Sequence, residues 1–225
     1  RLIRRQRQMC IRDRTGTISS GDISALASLN GDESQAFTVT VTSTTVDASA
    51  ITSLENKTSV AIDLSAVQTI QGTAAELEAV YVLADSGLVT GLGNETLTVS
   101  ETTTVAQLNI LNAETSGAIT STVQEGDYST LNTLEGTNNV YAITLTESIT
   151  VDQANTLAAK TTGVITATLS TGDMATLAGL NETGNAYTVT VTDTSATAAA
   201  LTTLDGKTTV AVAAGNVTSL SGTAT

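Results

Sequence analysis

Residues 187–225 read YTVTVTDTSATAAALTTLDGKTTVAVAAGNVTSLSGTAT, and residues 37–75 read FTVTVTSTTVDASAITSLENKTSVAIDLSAVQTIQGTAA. The two stretches align without a gap at an offset of 150, with eighteen of 39 positions identical. A second match, at an offset of 46, sets GAITSTVQEGDYSTLNTLEGTNNVYAITLTE from Gly117 against GVITATLSTGDMATLAGLNETGNAYTVTVTD from Gly163. Inside both lies a shorter period of 22–24 residues, with strand-like starts near Thr17, Phe37, Val60, Thr96, Ala118, Tyr141, Val164, Tyr187 and Val210. Self-similarity at such a period is the signature of stacked supersecondary units. The interval from Val60 to Thr96 holds an extra segment, placed at residues 72–94.

Each period reads as strand, turn, short helix and loop. In Tyr187–Thr192 apolar residues alternate with Thr, the period-two pattern of a half-buried strand, and Val and Thr are β-branched strand formers. Asp22, Asp127 and Asp173 follow Gly and suit helix N-caps, where a carboxyl oxygen accepts from free backbone N–H groups. Met174, Leu177 and Leu180 then recur every third residue, which predicts two helical turns with one buried face. A single period of this size cannot bury its apolar face, but neighbours stacked at strand spacing can. The expected fold is therefore an α/β solenoid: a right-handed stack of about nine 22–24-residue strand–turn–short-helix coils sharing one parallel sheet. An all-β solenoid is the alternative, because the helical stretches are short and rich in Thr. Residues 15–225 are expected to form this single array, cut within a repeat at both ends.

Composition narrows the function. The chain has 225 residues, 40% of them hydrophobic and only 2% aromatic, with no Pro, Trp or His and one Cys. The absence of His removes the usual general base and the commonest metal ligand. Gly-rich phosphate loops, paired CxxC motifs and Ser/His/Asp sets are missing, so no catalytic residues, no metal site and no enzyme activity are expected. No apolar run approaches the roughly 18 residues of a membrane span. The net charge is −13, yet all six Arg and the single Cys lie within the first fourteen residues. Residues 15–225 hold three Lys against 21 acids, a net of −18, which disfavours nucleic acid as a partner.

The basic start, RLIRRQRQMCIRDR, matches no position of the repeat, whereas TGTISSGDISALASLN from Thr15 matches TATLSTGDMATLAGLN from Thr166. Residues 1–14 resemble a translated sequencing-adapter remnant of the kind found at the ends of metagenomic reading frames. They are expected to be such an artefact or a disordered tail, outside the fold. From Thr15 onward, the phrases TAAALTTLDGKTTVAV, ITVDQANTLAAKTTGVITATL and SLSGTA resemble the tandem-repeat regions of giant secreted or cell-surface, adhesin-like proteins of marine bacteria and cyanobacteria. That resemblance implies an extracellular or cell-surface location and a structural role as stalk, spacer or surface layer, with neighbouring repeats of the same chain as partners. The calcium-binding nonapeptide of toxin-type repeats is absent. Asp- and Asn-rich loops supply oxygen ligands of the kind calcium takes, but no complete loop spacing is present and no cofactor is expected.

Three groups of residues remain as candidates. Thr40, Thr98, Thr122, Thr144, Thr168 and Thr190 would form an outward column if the apolar strand residues face inward, flanked by Thr38, Thr96, Thr120, Thr166 and Thr188 and by Thr42, Thr146 and Thr192. Regular Thr arrays on a flat face can order water or bind sugars, so ice or polysaccharide is the ligand class this column would take. The plainer reading is that Thr is a soluble strand former, and Asp63, Gln124 and Ala213 interrupt the array. Lys57, Lys160 and Lys207 share one post-helix position, which suits a cation beside a helix C-terminus. In the extra segment, Glu76, Glu78, Tyr81 and Asp85 are the polar members. A polysaccharide-active β-helix enzyme is the third option, disfavoured by the missing Arg and His.

Overall fold

The structure, a computed structural model, describes residues 15–18, 21–30 and 35–222. The expectation for residues 1–14 lies outside them. Thirteen strands and eight helices follow one another among the described residues. The first part of the chain forms β1 (Thr15–Thr17), α1 (Ile23–Leu26), β2 (Ala36–Thr38), β3 (Thr45–Asp47), α2 (Ala48–Glu55), β4 (Ile62–Asp63), β5 (Thr69–Gly72), α3 (Ala74–Asp85), β6 (Val89–Thr90), β7 (Thr96–Thr103) and α4 (Val105–Glu114). The remainder forms β8 (Ile119–Val123), α5 (Tyr128–Leu131), β9 (Val140–Ile149), α6 (Val151–Ala158), β10 (Ile165–Leu169), α7 (Met174–Leu177), β11 (Ala186–Thr188), β12 (Ser195–Thr197), α8 (Ala198–Asp205) and β13 (Ser219–Ser221).

This is an α/β fold with a seven-stranded parallel sheet in the order β11-β10-β9-β8-β7-β5-β3. The helices exclude the all-β alternative. The expected single sheet is corrected: three two-stranded sheets, β1-β2, β4-β6 and β12-β13, stand beside the large one. The reason lies in strand continuity. Where one strand per period was expected, the chain makes two, as in β2 and β3 or β11 and β12, and each member finds its own partner. In β7 and β9 the two run together as one strand of eight or ten residues. Val210 begins no strand; isolated bridges at Thr208 and Ala213 replace it.

Helix lengths also depart from the even two turns expected. Helices α1, α5 and α7, which follow Gly-Asp, have four residues each, whereas α2, α6 and α8 have eight. The first three do begin on Asp caps: the carboxyl groups of Asp22, Asp127 and Asp173 accept from Ser24 N, Thr130 N and Thr176 N. The extra segment is the longest helix, α3, closed by a capping box in which Thr73 Oγ1 accepts from Glu76 N while Glu76 accepts from Thr73 N.

The chain divides into two compact units, Arg1–Glu101 with Ile110–Thr120, and Thr102–Asn109 with Ser121–Thr225. In the first, Val41, Ile51, Leu54, Ile62, Ile70, Leu77 and Leu97 are fully buried. In the second, Tyr141, Ile143, Leu157, Ile165, Tyr187 and Val191 fill the core. Each such side chain contributes about 1.5–3 kcal/mol by leaving water. Phe37, which shares its alignment position with Tyr187, is only half-buried.

Buried threonines turn the chain from one strand to the next. Thr58 Oγ1 accepts from Phe37 N at 2.9 Å and donates to Phe37 O at 2.7 Å. Thr208 does the same for Tyr187, at 2.9 and 2.7 Å. Thr161 accepts from Tyr141 N at 2.7 Å, and Thr115 donates to Glu95 O at 2.7 Å. Asparagines clamp the following loops: Asn109 and Asn155 each donate to a backbone carbonyl, of Thr133 and Gly179, at 2.8 Å, and accept from Glu135 N and Asn181 N.

Elements recur at the offset read from the sequence. Strands β2 and β3 and helix α2 reappear 150 residues later as β11, β12 and α8 with identical bounds, and β13 falls within the span shifted from β5.

Candidate functional site

The apolar strand residues do face inward, and the Thr residues between them face solvent. Thr98, Thr122, Thr144, Thr168 and Thr190 are exposed, Thr40 is half-buried, and all the flanking Thr residues are exposed. Their register differs from the expected column. Thr144 lies opposite Thr166, while Thr168 lies between Ser148 on β9 and Thr188 on β11. Thr144 is thus already two residues away from the expected pairing, and the offset widens where β9 places three residues between Thr144 and Ser148 against one in β10 between Thr166 and Thr168, a bulge that re-aims one strand relative to the other. Thr40 bridges to Asp63 and Thr190 to Ala213, so two of the three interruptions sit directly beside the residues at the ends of the set. Thr40 Oγ1 is 3.5 Å from Asp63 Oδ2. The Asp63 carboxyl is held below its ordinary range, first by the Ser65 backbone N–H at 3.0 Å.

Thr98 does belong to a concave site. In the first compact unit an open cleft of about 410 Å3 is lined by Asp47, Ser49, Gln71, Gly72, Glu76, Thr98 and Ser100. Strand β3 delivers Asp47, β5 delivers Gln71 and β7 delivers Thr98 in register opposite Gln71. Asp47 stands at the N-cap of α2 but makes no capping bond; its Oδ1 accepts from Gln71 Nε2 at 2.8 Å instead. The cleft thus presents carboxyl, amide and hydroxyl groups side by side, the groups that pair with the hydroxyls of a sugar. Glu76 is half-buried and accepts from Thr73 N and Thr73 Oγ1. At the offset of 150, Asp47 is replaced by Thr197, Ser49 by Ala199 and Gln71 by Ser221. Thr197 caps α8 through Ala200 N at 3.1 Å. Asp47, Ser49 and Gln71 were not singled out from the sequence. The signal for them was these polar differences between two copies whose core positions match.

Several of the other candidates resolve into structural parts. Lys160 and Lys207 donate through Nζ to Leu134 O and Asn181 O, each at 2.9 Å. The cap carboxyls of Asp22, Asp127 and Asp173 are held below their ordinary range, the first two chiefly by the side-chain hydroxyls of Ser24 and Ser129 and the third by the Thr176 backbone N–H. Of the extra segment's polar residues, Tyr81 is buried against Glu95, which was not among the candidates. Burial, reinforced by the bond to Glu95, pushes the Tyr81 phenol well above its ordinary value. Glu95 occupies the place taken by Phe37, Tyr141 and Tyr187 in the other Thr-clipped turns, and Tyr81 brings the aromatic ring from α3 instead. Among the described residues no group of three or more His, Cys, Asp or Glu is placed to hold a metal ion, and no helix is long and apolar enough to cross a membrane.

No family model, no curated protein and no solved structure matches the chain.

Proposed function

We propose that the chain is a structural repeat module of a large extracellular bacterial surface protein, an α/β solenoid of stacked coils acting as stalk, spacer or adhesin shaft. The observation that carries this reading is the recurrence of β2, β3 and α2 as β11, β12 and α8 with bounds shifted by 150 residues. The parallel registers support it, since every paired strand whose register is defined runs the same way as its neighbour. At the parallel strand spacing of about 4.8 Å, six coils in a 150-residue block give an advance of roughly 30 Å. Small-angle scattering on chains lengthened by further copies of residues 76–225 tests this. The maximum dimension should grow by that increment with each block at constant cross-section. Growth in all three dimensions would overturn the reading. Antibody labelling of intact source cells tests the surface location.

A second reading, a ligand-binding face for polysaccharide or ice, is favoured by the exposed Thr rows and by the cleft that joins Thr98 to Asp47 and Gln71. Glycan arrays and an ice-recrystallisation assay separate the two ligand classes. Gln71→Ala and Thr98→Val should weaken sugar binding without lowering the thermal midpoint.

A further inference from the structure

The two copies differ sharply in how one face is covered. Ile51, Ile62 and Ile70 are fully buried, whereas their equivalents Leu201 and Val212 are half-exposed and Leu220 is 63% exposed. By contrast Val41 and Val191, Leu54 and Leu204, and Thr58 and Thr208 are buried in both copies. The difference is therefore confined to one side of the later copy. In the earlier copy the cover is visible. Helix α3 packs on α2, Ile62 N and Leu64 N donate to Leu88 O and Thr90 O at 2.9 Å, and β7 pairs along β5. In the later copy β13 pairs with β12 in a sheet of two strands, and an open groove of about 300 Å3 runs beside Leu201 and Val212.

We infer that this face is a docking surface for a helix–strand segment with the chemistry of residues 73–99. Such a segment starts with a capping box, places apolar residues equivalent to Leu77 and Val80 on the groove, and adds a parallel strand, equivalent to β7, to the open edge of β13. The same apolar pattern and the same backbone edge are recognised within this chain, so the occupant is defined by what already covers the matching face. A second copy of the chain cannot offer this segment while its own residues 73–99 remain folded into place. The inference rests on the stacked-repeat reading and specifies the interface that stacking requires.

The test uses the full chain with a copy of residues 76–101 joined after Thr225, in register with the sequence match of Gly222-Thr223-Ala224 to Gly72-Thr73-Ala74. Hydrogen exchange of amides 212–220 is read against amides 62–70 in the same molecule. A control carries Leu77→Asp, Val80→Asp and Leu97→Asp in the copied segment only. The expected result is at least tenfold slower exchange at 212–220 in the extended chain, with no slowing in the control. Unchanged exchange at 212–220 with residues 62–70 protected overturns the docking inference and leaves the stacked reading standing. Fast exchange at both sites overturns the stacked reading as well. Protection of 212–220 in the unextended chain that rises with protein concentration overturns the assigned occupant in favour of a second copy.

Discussion

The phenol of Tyr81 donates a hydrogen bond to the carboxyl group of Glu95, and both side chains are almost fully buried. Glu95 Oε2 also accepts from Gly93 N at 2.7 Å and Asn94 N at 3.0 Å. The helix of the extra segment and the loop that closes it are thereby tied to one side chain. Removing the acceptor leaves a buried hydroxyl and two backbone N–H groups without it, and an unmet buried donor costs about 1–3 kcal/mol. Glu95→Ala should therefore destabilise by at least that much, and Tyr81→Phe by about 1–2 kcal/mol. The double variant should fall short of the sum by about 1 kcal/mol, as expected for residues in one network. Chemical denaturation of the four chains measures the coupling, and strict additivity would show that the bond contributes nothing.

Thr161 tests the threonine clips. Its Oγ1 accepts from Tyr141 N at 2.7 Å and from Gly163 N at 2.9 Å, and lies 3.0 Å from Tyr141 O as donor. Valine has nearly the same shape without the hydroxyl. Thr161→Val should cost about 1–3 kcal/mol because the Tyr141 N–H loses its acceptor in a buried place. Thr161→Ser keeps the oxygen and should recover most of the loss. Equal destabilisation by both would place the effect in the γ-methyl packing instead.

Much of this fold is legible in the sequence, and the parts that are not have physical causes. Alternation of Val and Thr locates the strands, and Gly-Asp pairs locate the short helices, because both signals are local. The second strand of each period, Thr45–Asp47 or Ser195–Thr197, continues into a helix with no turn residue between and so leaves no boundary to read. Ladder register is a relation between segments, so neither the offset that sets Thr166 opposite Thr144 nor the bulge in β9 that carries Thr168 on to Ser148 has a local mark. The buried threonines look like surface threonines until their partners are known, and Glu95 looks like any other acid. The cleft residues Asp47 and Gln71 are legible only by comparing the copies position by position.

One small difference in spacing does have a reading in the sequence. Phe37 and Thr58 are 21 residues apart, as are Tyr187 and Thr208, and Val60 and Val210 follow two residues after each Thr. Tyr141 and Thr161 are 20 apart, and Gly163 stands in that place. A Cβ on Gly163 would lie 2.3 Å from Tyr141 O, too close for any side chain. Gly163→Ala should therefore destabilise by about 3 kcal/mol, near the upper range of overpacking costs. Gly215, where a Cβ meets nothing within 4 Å, serves as the control, and Gly215→Ala should leave stability unchanged or slightly raised. Thermal melts of the two variants decide it; equal midpoints would mean the Gly163 backbone can move away from Tyr141.

Tyr187 links the core to an alkaline limit of stability. Its side chain is 1% exposed, and truncation to Ala should cost about 3–5 kcal/mol. Burial, with the nearby Glu182 charge, pushes its phenol up to about 12. Burial likewise raises Tyr141, and burial with the Glu95 bond raises Tyr81. An unfolded tyrosine ionises near 10. A phenol whose folded value is higher holds its proton more tightly when folded, so its stabilising share is complete below about pH 10. That share is lost as pH rises through the folded value, because the unfolded chain releases the proton first. The thermal midpoint should therefore be level up to about pH 9 and fall between about pH 10 and 12. Tyr187→Phe removes one ionisable group while keeping the ring, so it should make the fall shallower and leave the midpoint at neutral pH nearly unchanged. Melts of both chains across this range check the assignment, and parallel curves would show that Tyr187 ionises as freely in the folded chain as in the unfolded one.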